Sequence, residues 1–128
     1  MVLDTSVLIR YLTNDNPVKA KKFANFIKSG QRFIITDVTF AETYWILIKL
    51  YNHPKDQIIT SFKSLLSVAS LSCNRRRITE TLELLSKHPM LSFVDAYTAA
   101  YTMIHNDRIV LSYDKDYSKI PGIKRKEP

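Results

Sequence analysis

The first ten residues, MVLDTSVLIR (Met1–Arg10), decide the fold prediction. Their apolar opening runs directly into Asp4, which is followed by the hydroxyl residues Thr5 and Ser6. This pattern predicts a buried strand that ends on a carboxylate and turns into a helix over Val7–Leu12. In parallel α/β sheets, ligands bind at the carboxyl ends of the strands. Asp4 is therefore either a functional carboxylate or the N-cap of the helix, and this stretch alone leaves both interpretations open.

The rest of the chain alternates predicted helices and strands. Apolar periodicity and capping residues predict helices from Pro17 to about Ser29, from Asp37, from Pro54, from Asn74 to near Pro89 and from Ser92. Between them, short apolar runs predict strands at Arg32–Thr36, Val68–Cys73 and Arg108–Ser112. Such alternation is typical of an α/β fold with a parallel sheet covered by helices on both faces. We find no linker, so residues 1–128 are expected to form a single domain.

Composition excludes several classes of protein. With only 2 Gly, the chain has no glycine-rich phosphate-binding loop. The lone Cys73 excludes a disulfide framework and a cysteine zinc cluster, and it suits a reducing cytoplasm. No signal peptide is visible, and no apolar run approaches the roughly 18 residues of a membrane span, so no membrane association is expected. The net charge of +7 favours a polyanionic partner, most simply nucleic acid.

Acidic residues are few, and their positions are informative. Of the 12 Asp and Glu, four stand where an α/β sheet builds a site: Asp4, Glu42, Asp95 and Asp114. Glu42 and Asp95 are predicted in first turns of helices, and Asp114 follows the last clear strand. Each also has a structural alternative: Thr39 with Glu42 and Ser92 with Asp95 have the spacing of a capping box, and Asp114 suits a turn.

Convergence of four carboxylates at one sheet edge would raise their pKa values and cost stability. A hard divalent cation relieves this conflict, and Mg²⁺ or Mn²⁺ suits an all-oxygen site. A carboxylate-bound metal beside a basic surface indicates phosphodiester hydrolysis, in which the metal generates hydroxide and stabilises charge on the phosphate.

Four motifs in order also resemble one family over essentially the whole chain. VLDTSVLIRYL at the start, AETYW around Glu42, SFVDAYTAA around Asp95 and LSYDKDY around Asp114 are similar to PIN-domain ribonucleases, especially VapC-type toxins of type II toxin–antitoxin modules. The resemblance implies a three-layer α/β/α sandwich with a central parallel sheet of four to five strands. We expect Ile120–Lys124 to supply its last short strand.

The same resemblance implies a site and partners. Asp4, Glu42, Asp95 and Asp114 would be the catalytic, metal-binding quartet, with Asp116 as a more peripheral metal ligand. Ser6 and Ser112 would be supporting polar groups. The implied activity is metal-dependent cleavage of RNA by a toxin that a cognate antitoxin protein restrains.

Other side chains suggest further contacts. Arg75, Arg76 and Arg77 oppose the dipole of the helix they begin, so RNA contact is one explanation and a solvated surface the other. Arg10, one turn beyond Ser6, is a candidate for contact with phosphate or with a partner. The aromatic residues of the middle helices exceed what one small core can hide, so we expect them to be exposed and the protein to be a homodimer; the residues concerned are Tyr44, Trp45, Tyr51 and Phe62.

Two other function classes remain open. The same fold without chemistry would be an RNA-binding or scaffold module, although clustered acids facing phosphate argue against it. A phosphatase or phosphotransferase with an Asp nucleophile would need a second acid two residues after Asp4, where this chain has Ser6.

Overall fold

The structure, a computed structural model, describes every residue from Met1 to Pro128. The chain divides into two compact units, Met1–Arg75 and Arg76–Pro128. The first unit contains α1 (Thr5–Thr13), α2 (Pro17–Lys28), β1 (Phe33–Ile34), α3 (Asp37–Lys49), α4 (Lys55–Leu66) and β2 (Leu71–Ser72). Helix α5 (Arg75–Lys87) begins at the unit boundary. The second unit continues with α6 (Phe93–Ile104), β3 (Ile109–Leu111), a 3₁₀ helix (Lys115–Lys119) and β4 (Lys124–Lys126).

The first unit places Asp4 at the end of a short parallel ladder. β1 pairs with β2 in parallel on one side and with a bridge at Val2 on the other. The Leu3 amide donates to the Ile34 carbonyl at 2.8 Å, and the Ile34 amide donates to the Met1 carbonyl at 2.8 Å. Asp4 therefore follows directly after the paired residues, as the sequence predicts.

Apolar stripes pack as their helical spacing predicts. In α3, α4 and α5 the apolar residues that share one helix face are buried; they are Phe40, Tyr44, Leu47, Ile58, Phe62, Leu65, Ile78, Leu82 and Leu85. In α6 the small side chains Ala96, Ala99 and Ala100 are fully buried. These helices are held by burial of one apolar face, which is the main stabilising term for helices of this length.

Local capping fixes most helix starts. The side chain of Asn16 accepts a hydrogen bond from the Lys19 amide at 3.1 Å, with Pro17 at the first helical position. At the start of α3, however, the cap is Thr36, whose hydroxyl accepts from the Thr39 amide at 3.2 Å. The predicted Thr39–Glu42 capping box is therefore wrong. Because α3 begins at Asp37, Glu42 lies in its second turn and not its first.

The second unit has its own parallel pair, β3 with β4. The last strand is Lys124–Lys126 and not the predicted Ile120–Lys124. Ile120 is buried and closes the 3₁₀ helix, where its amide donates to the Tyr117 carbonyl at 3.2 Å. Gly122 then adopts a φ of +90°, which L side chains rarely adopt, and turns the chain into β4.

The fold is α/β, with helices predominating and all strand pairs parallel. Strands are two or three residues long, whereas the sequence predicts five or six. They shorten because flanking residues serve the next helix: Thr36 caps α3, and the Cys73 carbonyl accepts from the Arg75 amide at 3.0 Å. The hydrogen-bonded strands form two two-stranded sheets, with an isolated bridge at Val2 beside the first. None of its helices is long and apolar enough to cross a membrane.

Arg75 has a structural role in the first unit. Its guanidinium donates to the Leu66 carbonyl, to the Val68 carbonyl at 3.0 Å and to the Leu71 carbonyl at 2.8 Å. Leu66 is the last residue of α4 and Leu71 the first of β2, so one cation holds the backbone of the turn that connects them.

We predict that Arg75→Gln lowers the free energy of unfolding by about 1–2 kcal/mol, since charge-assisted bonds to backbone are lost. Urea denaturation followed by circular dichroism measures this. Arg76→Gln removes the same charge from the adjacent residue and is the matched control. Its free energy of unfolding is expected to change by less than about 0.5 kcal/mol. Equal effects from the two variants would contradict a special role for Arg75.

Candidate functional site

Asp4 is the N-cap of α1. Its Oδ2 accepts from the Ser6 amide at 3.0 Å and from the Ser6 hydroxyl at 2.5 Å. The Ser6 hydroxyl first, and then the Ser6 amide, hold the pKa of Asp4 below its ordinary value. The side chain is exposed and remains a carboxylate at neutral pH, so capping and metal binding are compatible at this residue. Ser6 thus donates to Asp4 twice, and its role as a supporting polar group of a functional site stays a prediction.

Glu42 is exposed in the second turn of α3, a helix that packs against α1 in the first unit. No hydrogen bond or ion pair of its side chain is present. An exposed, uncompensated carboxylate costs little folding energy and is free to bind a cation.

Asp95 is held by two contacts in the second unit. Its amide donates to the Ser92 hydroxyl at 3.1 Å, so the predicted Ser92 cap of α6 is confirmed. Its carboxylate Oδ1 accepts from the Tyr117 hydroxyl at 3.3 Å. Burial, and next the negative charge of Asp95, raise the pKa of Tyr117 to about 12. The phenol therefore stays protonated at neutral pH and serves as a permanent donor to Asp95.

Asp114 caps the 3₁₀ helix that carries Tyr117. The Asp116 amide donates to Asp114 Oδ1 at 2.9 Å, and the Asp114 amide donates to the Ser112 hydroxyl at 3.0 Å. The negative charge of Asp114 also contributes, as the smallest cause, to the raised pKa of Tyr117. The Ser112 side chain thus holds the backbone of Asp114 in place.

Asp116 has a different partner. Its Oδ1 accepts from the Lys119 ammonium at 2.8 Å on the surface. A metal ligand role for Asp116 would have to compete with this pair, which agrees with a peripheral position.

Tyr117 is the residue that sequence reasoning missed. It is 6% exposed and is the buried member of the 3₁₀ helix. The only sequence signal is an aromatic residue three positions after Asp114, which is equally typical of simple core packing.

The four arginines predicted to contact RNA or a partner lie in four different environments. Arg10 forms an ion pair with Asp15, which also accepts from the Tyr51 hydroxyl at 3.0 Å. Arg75 is bound to backbone carbonyls as described above, which accounts for its position at the start of α5 without RNA. Arg76 is exposed. Arg77 lies over the ring of Tyr101.

The donor set suits a hard cation. The predicted ligands are Asp and Glu carboxylates with Ser hydroxyls nearby, and no His or Cys is among them, which matches the oxygen preference of Mg²⁺ and Mn²⁺. The structure contains no group of three or more His, Cys, Asp or Glu side chains placed to hold a metal ion. The Tyr117 hydroxyl links Asp95 to the 3₁₀ helix that Asp114 caps, and the four-carboxylate site stays a prediction.

Comparison with known protein families gives one match, to the PIN domain over residues 1–123. The chain belongs to the PIN-domain family. The match extends through both compact units and includes all four predicted acids. No curated protein matches the chain individually. PIN domains are nuclease-type domains that generally depend on metal ions, so membership supports a hydrolytic nuclease role for this chain.

We predict that Tyr117→Phe lowers RNA cleavage several-fold because Asp95 loses its fixed donor and becomes less well oriented. The predicted carboxylates remain, so activity is expected to be weakened and not abolished. Cleavage rates at several Mn²⁺ concentrations are the measurement. An unchanged rate at limiting Mn²⁺ would show that the Tyr117 hydroxyl does not position Asp95.

Proposed function

We propose that this PIN-domain protein is a metal-dependent endoribonuclease, in which Asp4, Glu42, Asp95 and Asp114 together hold Mg²⁺ or Mn²⁺. The observation that carries the proposal is the Tyr117 hydroxyl, which donates to Asp95 from the 3₁₀ helix that Asp114 caps. This hydrogen bond ties the segment that begins at Asp114 to the helix that carries Asp95. In this proposal the short strands belong to the single central sheet of four to five strands, between two helical layers, that the family resemblance implies.

The chain's own residues would prepare the site in three ways. The Ser6 hydroxyl and amide keep Asp4 ionised. Tyr117 fixes the orientation of Asp95, and the caps at Ser92 and Asp114 hold the two acidic segments of the second unit. When bound, the cation activates water and stabilises the charge that develops on the phosphate. The basic surface implied by a net charge of +7 attracts RNA.

We further propose that the enzyme is a cytoplasmic toxin restrained by a cognate antitoxin. A mainly apolar groove of about 570 Å³ in the first unit supports this, since its lining includes Val7, Phe23 and Phe26. Lys19 and Lys22 also line the groove, which suits a segment that carries apolar and acidic side chains. Co-expression with a small neighbouring reading frame, followed by purification, tests this: a stable complex that Val7→Asp disrupts is expected. A neighbouring product that does not bind would contradict it.

We also propose a homodimer, which fewer exposed aromatic residues support than the sequence predicts. Tyr44 and Phe62 are buried, at 4% and 0% exposure, so the prediction that they are surface aromatics is wrong. They fill the core because they lie on the inward faces of α3 and α4. Trp45 remains 56% exposed. Light scattering at tens of micromolar protein is expected to give a dimer mass, with a shift toward monomer for Trp45→Glu. A monomeric mass for the wild type would contradict dimerisation.

Brief expression of the protein in bacterial cells, with sequencing of RNA 5′ ends, tests the proposed function. New 5′-phosphate ends are expected within minutes for the wild type and not for Asp95→Asn. Identical end profiles for the two proteins would overturn the endoribonuclease proposal.

A further inference from the structure

One face of α6 carries an aromatic ladder that the proposed chemistry does not use. Tyr97 and Tyr101 are four residues apart and therefore lie on one side of the helix, and His105 is the residue that caps its C-terminal end. The Tyr97 and Tyr101 rings are 6.5 Å apart, and the Tyr101 and His105 rings are stacked at 5.1 Å with an interplanar angle of 22°.

Arg77 from α5 joins this ladder. Its guanidinium carbon is 4.2 Å from the centre of the Tyr101 ring and 5.8 Å from that of Tyr97. Its Nη1 donates to the Tyr97 hydroxyl at 3.1 Å, which fixes the guanidinium plane. Arg77 is therefore held in the stack, and its position near the start of α5, unfavourable for the helix dipole, has a local explanation.

The stack is open at the surface. Tyr101 is 42% exposed, and His105 and Asn106 are exposed. These residues, with Arg77 and Ile104, line an open pocket of about 170 Å³. An aromatic ladder that served only to pack α5 on α6 would bury its rings, since burial is the source of its stabilising energy.

Aromatic rings and Arg guanidinium planes are the surfaces on which proteins stack unpaired nucleobases. A side-chain amide such as that of Asn106 supplies both a donor and an acceptor for a base edge. The exposed Arg76 adds a positive charge next to Arg77 in the sequence, as a phosphate backbone would require.

We propose that Arg77, Tyr101 and His105 form a stacking platform for an unpaired base of single-stranded RNA, a binding site in addition to the carboxylates. The choice of RNA as ligand rests on the proposed function, whereas the platform itself rests on the geometry of the stack.

Fluorescence anisotropy with a labelled single-stranded RNA of twelve nucleotides tests the platform. EDTA is present throughout, so that no cleavage occurs. Tyr101→Ala and His105→Ala are each expected to weaken binding about 5- to 100-fold, the cost of losing one stacking surface. Tyr101→Phe and His105→Phe keep the rings and are the matched controls, expected to bind as the wild type does. Binding of a duplex of equal length is expected to be insensitive to all four substitutions, because its bases are already stacked.

The two arginines separate stacking from charge. Arg77→Lys keeps the charge but loses the plane, so it is expected to weaken binding with little change in salt dependence. Arg76→Gln is expected to reduce the slope of binding against salt concentration by about one phosphate contact. Equal salt slopes for Arg76→Gln and the wild type would remove Arg76 from the proposed site.

A variant with a single tryptophan tests the platform independently if Tyr101→Ala does not fold. In Trp45→Phe/His105→Trp the reporter stands at the exposed end of the stack, and its fluorescence is expected to be quenched by the RNA. Wild-type affinity in both alanine variants, or an unquenched reporter when RNA is bound, overturns the platform. If RNA binding depends on the stacked rings but no cleavage occurs in Mn²⁺, the nuclease proposal is rejected and the platform is kept. If cleavage occurs but the alanine variants bind RNA as the wild type does, the platform is rejected and the nuclease proposal is kept.

Discussion

Asp4→Asn is expected to reduce RNA cleavage by at least about 100-fold, the scale of losing a group that stabilises transition-state charge. The change leaves the fold intact, because the amide oxygen of Asn still accepts from Ser6 and caps α1. What is lost is the negative charge that would hold the cation. The initial rate of cleavage of a labelled single-stranded RNA in Mn²⁺ measures the effect.

The same variant has a second readout that separates binding from capping. Mg²⁺ or Mn²⁺ is expected to raise the melting temperature of the wild type, since a ligand that binds only the folded state stabilises it. In Asp4→Asn this rise should be largely lost, whereas the melting temperature without metal should change little. Asp15→Asn is the matched control, an exposed aspartate paired with Arg10 and Tyr51 outside the proposed site. A variant that keeps both its cleavage rate and its metal-induced shift would show that Asp4 is only a cap.

Asp114→Asn is expected to produce a loss similar to that of Asp4→Asn, of at least about 100-fold. Asparagine preserves the acceptor that the Asp116 amide uses, so the 3₁₀ helix is retained. Asp116→Asn, two residues away, removes the same charge from a side chain already paired with Lys119 on the surface. Because exposed ion pairs contribute little to stability, its effect on folding is expected to be small and its effect on cleavage only a few-fold.

This pair tests which acid of the last segment belongs to the site. Steady-state rates for the two variants at the same Mn²⁺ concentration are the comparison. A larger loss of cleavage rate for Asp116→Asn than for Asp114→Asn would place Asp116 in the site and Asp114 at its periphery. Full activity in both variants would exclude this segment from the chemistry.

Helices were predictable from the sequence because their signals are local. The apolar stripe of α4 at Ile58, Phe62 and Leu65 is buried as predicted, and Asn16 and Ser92 cap the helices that follow them. Strand length was not predictable, since Thr36 follows the apolar Ile35 and fits the end of a strand as well as it fits a helix cap. Its hydroxyl is committed to Thr39, which ends β1 early and moves Glu42 into the second turn of α3.

The acidic residues of the candidate site were predictable from the sequence, whereas the residues that contact them or lie on neighbouring helices were not. Asp4, Glu42, Asp95 and Asp114 stand out because acids are few and follow predicted strands or begin helices. Tyr117 and Arg77 do not, because their roles depend on contacts between segments about 20 residues apart: Tyr117 with Asp95, and Arg77 with Tyr97. The distinction between Arg75 and Arg77 likewise depends on tertiary contacts, since the three arginines are indistinguishable as a sequence run.

Metal-dependent hydrolysis of RNA is the central claim, and the most direct measurement is cleavage of a 5′-labelled single-stranded RNA by the purified wild-type protein. We predict products with 5′-phosphate and 3′-hydroxyl ends in Mg²⁺ or Mn²⁺, no products in excess EDTA, and recovery of cleavage when the cation is restored. Cleavage at full rate in excess EDTA, with Asp95→Asn as active as the wild type, would contradict the claim.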